Sequence, residues 1–195
     1  RRFGLLPELL SWASLLPVGS ISALYYADRL AQLPLGVVGI AIGTALLPLL
    51  ARQLRAGERQ AAMANQNRAI EVGLLLGLPA AAALWLLADP LVRVLFQRGQ
   101  FGPDDTWRTA GALAAFAVGL PAFVLVKALT PGFFAREDTK TPLYIATAAI
   151  VVNVVLNVVF LYGTTLAHVG IALASSLSGW LNALLLAIVL RRRRQ

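Results

Sequence analysis

The sequence predicts an all-α polytopic membrane protein: one transmembrane helical bundle with five full transmembrane helices and a partial first one. Three observations carry that expectation. Hydrophobic residues make up 58% of the 195-residue chain and charged residues only 13%, against about 25% charged in soluble domains; mean hydropathy is +0.74. The charges lie between long apolar runs, five of which match the roughly 20 residues that a helix needs to cross a bilayer core about 30 Å thick. Connections rich in lysine and arginine alternate with poorer ones, as the positive-inside rule requires.

Composition also excludes several function classes. With no cysteine in the chain, disulfide frameworks, thiolate zinc sites and cysteine nucleophiles are ruled out. A single histidine, His168, rules out multi-histidine metal clusters and leaves a Ser-His-Asp site only one base. No metal or other cofactor is implied. The net charge of +8 is read as membrane topology, and no nucleic-acid partner is expected.

In chain order, the short apolar stretch 5–16, which carries Pro7 and Glu8, reads as the remainder of a span. A signal peptide is the competing reading for Arg-Arg followed by an apolar run, but no small-residue cleavage site sits cleanly before polar mature sequence. Run 20–50 is too long for one perpendicular crossing and too short for two crossings with a loop, so it predicts one long helix, bent at Pro34 with Gly36 close behind. Runs 72–88, 110–129, 143–161 and 169–190 predict four more spans.

Positive charge sets the orientation. Counting lysine and arginine, the connections 52–68, 127–140 and 191–194 hold eleven, against three in 93–108 and none in 162–168. The first three therefore face the cytoplasm. On the outer side, Asp89, Asp104 and Asp105 offset Arg93, Arg98 and Arg108, and 90–101 reads as a short interfacial amphipathic helix. Glycines recur at helical spacing, Gly36, Gly39 and Gly43, then Gly73 and Gly77, then Gly111 and Gly119, and are read as close-packing contacts between helices in lipid.

Asp28 and Arg29 are the ionisable pair deep in the long run. An arginine at a helix centre costs about 2.5–3.5 kcal/mol on insertion scales, and such residues usually face a bundle interior or a wet cavity. Ser22, Tyr25, Arg29, Gln32 and Gly36 are spaced 3, 4, 3 and 4 apart, along one side of a helix. A polar stripe with a fixed positive charge at its middle suits an anionic substrate, because a guanidinium stays charged and holds phosphate oxygens in a bidentate fork. The alternatives are that Arg29 pairs with a carboxylate or snorkels, that Asp28 fixes a neighbouring helix, and that Tyr25 and Tyr26 are interfacial anchors. Asn153 and Asn157, with Ser175, Ser176, Ser178 and Asn182, read as interhelical hydrogen bonds, with an ion site as the minority alternative. Lys127 is read as snorkelling, with a substrate role as its alternative.

The elements YYADRL, LPLGV, LLP, LFQRGQFGPDDT and PGFFAREDTKTP stand in this order from Tyr25 to Pro142. By them the chain resembles, from about Leu10 to Arg194, the MurJ/MviN lipid II flippases of the multidrug/oligosaccharidyl-lipid/polysaccharide exporter superfamily. The resemblance implies a fourteen-helix protein with two six-helix lobes around a cationic cavity, this chain being the second lobe from the end of helix seven through helix twelve. It also implies translocation of undecaprenyl-diphosphate-linked peptidoglycan precursor across the bacterial cytoplasmic (inner) membrane by alternating access. Arg29 would line the cavity and bind the diphosphate with Ser22, and Tyr25, Asp28 and Gln32 complete the expected substrate-binding set. Expected partners are lipid II, membrane lipids and the first lobe, which has no counterpart in this chain; alone, the chain is expected not to transport. No enzyme activity is expected, since a polyprenyl-phosphate enzyme would need clustered carboxylates for magnesium and the acids are scattered. The remaining alternatives are a drug/cation or polysaccharide exporter of the same superfamily and a non-transporting membrane scaffold.

Overall fold

The computed structural model describes residues 20–163 and 167–192. The stretch 5–16 lies outside them. Among the described residues six helices follow one another: α1 (Ser20–Arg55), α2 (Arg59–Leu86), α3 (Ala88–Phe96), α4 (Pro103–Phe134), α5 (Lys140–Gly163) and α6 (Ala167–Arg192). All but α3 are long and apolar enough to cross a membrane.

Each long helix outruns the apolar run that predicts it, because a hydropathy window sees only the part of a helix in lipid. At 1.5 Å per residue the 36 residues of α1 extend about 54 Å, beyond the bilayer core, and the chain stays helical through Pro34 and Pro48. Arg52 and Arg55 occupy its last turn, where cations complement the helix dipole. A short turn at Gly57, whose φ of +79° favours glycine, reverses the chain into α2. That helix begins at Arg59 rather than near 72, since its polar first half is rich in the helix formers alanine, glutamine and arginine.

The outer connection departs from expectation in two ways. The short amphipathic helix is Ala88–Phe96, not 90–101. Pro90 cannot sit mid-helix without losing a hydrogen bond to Leu86 and crowding its carbonyl, so α2 stops at Leu86 and Pro90 takes a place in the first turn of α3. Past Phe96 the chain turns through Gly99, at φ +62°. The expected offset of acids against bases shows one ion pair, beside separate local contacts. Arg93 pairs with Asp89 at 3.1 Å, Arg98 donates to the Leu95 carbonyl at 2.9 Å, and Asp105 accepts from the Gly102 amide at 3.1 Å, capping α4.

The centre of the bundle is α4, which packs against α6, α1 and α2 and is buried nearly all round, as an evenly apolar helix should be. Its neighbours approach closely because its buried positions are small: Ala110, Ala112, Ala115, Ala117, Gly119, Ala122 and Ala128. At Gly119 the backbone of α6 comes so near that an added Cβ would lie 2.8 Å from Ser176 Cα, and Ser176 Oγ donates to the Ala115 carbonyl at 2.7 Å. On the other side, Gly73 and Gly77 of α2 form a notch that receives Val124. Gln66, buried at 1% exposure, donates to the Leu129 carbonyl at 3.3 Å. By contrast α5 rests chiefly on α6 and barely meets α4.

The glycines expected to pack together divide by place. Gly73, Gly77, Gly111 and Gly119 face neighbouring side chains, whereas a Cβ at Gly36 or Gly43 would meet nothing within 4 Å. Among the described residues these two meet no other helix, while Gly39 between them meets Lys127 of α4, so the packing expectation for α1 holds at that glycine alone. Overpacking a tight contact costs about 1–3 kcal/mol, so Gly119→Val is expected to lower the melting temperature in detergent. Gly43→Ala fills open space and removes a flexible mid-helix glycine, worth roughly 0.5–1 kcal/mol; its melting temperature should be unchanged or slightly higher.

Candidate functional site: a polar stripe and groove on α1

One face of α1 is sunk in the bundle, with Ala23, Ala27, Leu30, Ala31 and Val38 buried. The opposite face carries Ser22, Tyr25, Arg29 and Gln32, all exposed. The period-3.6 reading therefore places the expected site residues on the open side of the helix, together with half-buried Asp28.

Their side chains form a chain of contacts. The Arg29 guanidinium lies over the Tyr25 ring at 5.0 Å, within cation–π range, and its Nη1 donates to Gln32 Oε1 at 3.4 Å. Gln32 Nε2 in turn donates to Asp28 Oδ2. Asp28 thus accepts from a glutamine one turn along its own helix. Among the described residues Arg29 has no carboxylate partner, and its charge is met by an amide oxygen and an aromatic face.

The two tyrosines have different surroundings. Tyr26 packs at 4.8 Å on Phe96 of α3 and at 5.8 Å on Phe101, tying α1 to the outer connection. Tyr25 stands on the stripe, edge-on to Tyr26 at 5.9 Å.

Beyond Gln32 the stripe continues into a groove of about 450 Å³ lined by Gln32, Gly36, Gly43, Thr44 and Lys127 among others. The bare backbone at Gly36 and Gly43 keeps its floor open. Lys127 belongs to α4, and its presence beside the stripe is the feature that reading each helix alone misses. The signal is present in part, since Gly39 and Gly43 continue the spacing of the stripe past Gly36.

A second cleft, about 430 Å³, opens between α4, α5 and α6 and is lined by Lys127, Asn153, Ser175, Ser178 and Asn182 among others. Asn153 donates to Ser178 Oγ at 3.1 Å, an interhelical bond, and Asn157 donates to Asn153 Oδ1 at 3.0 Å within α5. The Oδ1 atoms of Asn157 and Asn182 are buried without a partner. No carboxylate lines this cleft.

Five helices long and apolar enough to cross a membrane, one of them with a charged, exposed face, define a polytopic membrane bundle. Residues 9–195 match the model of the lipid II flippase MurJ family, and the chain belongs to that family, whose members are multi-pass proteins of the bacterial cytoplasmic membrane. It is 54% identical over 175 residues to a probable lipid II flippase MurJ of Rhizobium tropici, covering 90% of this chain and 32% of that protein. A Rhizobium meliloti (strain 1021) relative of the same description is 55% identical over 168 residues, covering 86% and 31%. Among solved structures, a lipid II flippase MurJ in an inward closed conformation is similar with a TM-score of 0.79 and 29% identity, over 88% of this chain and 36% of that one. The chain thus spans about a third of the length of these relatives.

The exposed stripe has a direct chemical test, because the chain lacks cysteine. Single cysteines at Ser22 and Gln32 are expected to react with a membrane-impermeant maleimide in intact membranes. Cysteines at Ala23 and Ala27 should stay unmodified, and mass shifts of the purified variants distinguish the two sets.

Proposed function

We propose that this chain forms one lobe of a flippase that moves undecaprenyl-diphosphate-linked peptidoglycan precursor across the cytoplasmic membrane, with the α1 stripe as one wall of the substrate cavity. The observation that carries this reading is Arg29: a permanent cation on the exposed face of a membrane-spanning helix, with no carboxylate pairing it among the described residues. Its fork is free to take phosphate oxygens in place of the weak contact to Gln32.

In the proposed mechanism Arg29 captures the diphosphate, Tyr25 and Gln32 hold the guanidinium in line, and Asp28 orients Gln32. Ser22, two turns toward the outer end, offers a hydroxyl to the sugar or phosphate. A second lobe supplies the facing wall, since alternating access requires one bundle to rock against another. No bond is broken, so the residues bind and release rather than catalyse. A cation exporter would need an acidic cavity, and Asp28 is half-buried and engaged with Gln32.

The test places this chain within a complete two-lobed protein, as a chimera with the Rhizobium meliloti relative, in cells depleted of their own flippase. Losing hydrogen bonds to a charged group, about 1.5–3 kcal/mol each, predicts at least a tenfold fall in precursor export for Arg29→Ala at unchanged protein level. Arg29→Lys should rescue poorly, because it keeps the charge but loses the planar fork. Normal export by the alanine variant would remove Arg29 from the mechanism.

A further inference from the structure

We infer that Lys127 is a second anion-binding station of the same path, taking the substrate's diphosphate on the cytoplasmic side of Arg29; this rests on the flippase reading above. Three observations carry it.

The first is where the lysine points. Helix α4 runs from the aspartate-capped outer connection to Phe134, so Lys127 lies seven residues, about 10 Å, short of its cytoplasmic end. The Cα–Cβ bond of a helical residue tilts toward the helix N-terminus, here the outer side. The stem of Lys127 therefore starts out away from the cytoplasmic surface that snorkelling would seek, and it lies across α1 instead.

The second is the notch that admits it. A Cβ at Gly39 would stand 3.3 Å from Lys127 Cγ, so glycine there lets the stem cross α1 at close range. Gly36 and Gly43, on either side, leave the surface open. This brings a charge from α4 onto the groove that α1 shares with Arg29's partner Gln32. Among the described residues Lys127 forms no ion pair, and it also borders the cleft between α4, α5 and α6.

The third is the spacing. Arg29 and Gly39 are ten residues apart, about 15 Å along the helix, much longer than a diphosphate. The two side chains therefore leave the path's wall at different depths. They fit successive positions, Lys127 nearer the cytoplasmic entrance and Arg29 deeper, joined by a groove whose floor is glycine. A lysine suits the earlier position, since a mobile point charge holds phosphate without the fixed geometry of a guanidinium.

The experiment uses the chimera above with any cysteines of the relative removed. Lys127→Cys is expected to lower precursor export about tenfold or more, the loss of a charge-assisted contact. Aminoethyl methanethiosulfonate, which restores a primary amine at that position, should return most of the export. Sulfonatoethyl methanethiosulfonate, which adds an anion, should not. A variant that is fully active, that the aqueous reagents do not modify, or that the amine fails to rescue overturns the proposal. Melting temperature and yield of Lys127→Met separate misfolding from loss of charge: a variant that folds normally yet exports poorly supports the assignment, and one that exports normally overturns it. Arg29→Ala is run in parallel. If it is inactive while Lys127→Cys is fully active, only the second station falls; if it is fully active, the flippase cavity reading falls with it.

Discussion

Arg29 carries a guanidinium into a helix long and apolar enough to cross lipid, and much of α1 follows from that requirement. One face of the helix stays exposed while the other is driven into the bundle. Alanines and a leucine at the buried positions meet the second demand, and tyrosine, glutamine, serine and glycine meet the first. The guanidinium rests on a ring and an amide rather than on a carboxylate. A buried ion pair would satisfy it more fully; with none among the described residues, the charge stays open to an anion.

The remainder of the bundle holds that face in place. Helix α4 is a slender axle of alanine and glycine against which α1, α2 and α6 all lie at short range. Since lipid tails offer no hydrophobic drive for helix association, van der Waals packing and interhelical hydrogen bonds supply the cohesion. The Ser176 bond to the Ala115 carbonyl and the Gln66 bond to the Leu129 carbonyl are two such links, both made where a glycine of α4 permits approach. The groove on α1 is thus bounded on one side by a rigid column, and Lys127 is a projection of that column.

Much of this was legible in the residues. The helical bundle followed from the five apolar runs, and the stripe from the spacing of Ser22, Tyr25, Arg29 and Gln32, because period and charge are local properties of a helix. What was not legible depended on tertiary contact. The glycines of α1 look like those of α2 and α4 in sequence, yet Gly73 and Gly77 receive Val124 while Gly36 and Gly43 receive nothing. Lys127 reads as an end-of-span lysine until α4 is laid beside α1. Asp28 and Gln32 are four apart on one helix, so their i, i+4 contact is legible from spacing alone.

The lopsided attachment of α5 bears on how the chain is made. When that helix leaves the ribosome α6, its chief partner among the described residues, has not yet been synthesised, so lipid must hold much of its surface. Of the five crossing helices α5 has the highest mean hydropathy, which is the property an unaccompanied segment needs at the translocon. Docking then becomes the task of the hairpin it forms with α6, delivered to a column already flanked by α1 and α2.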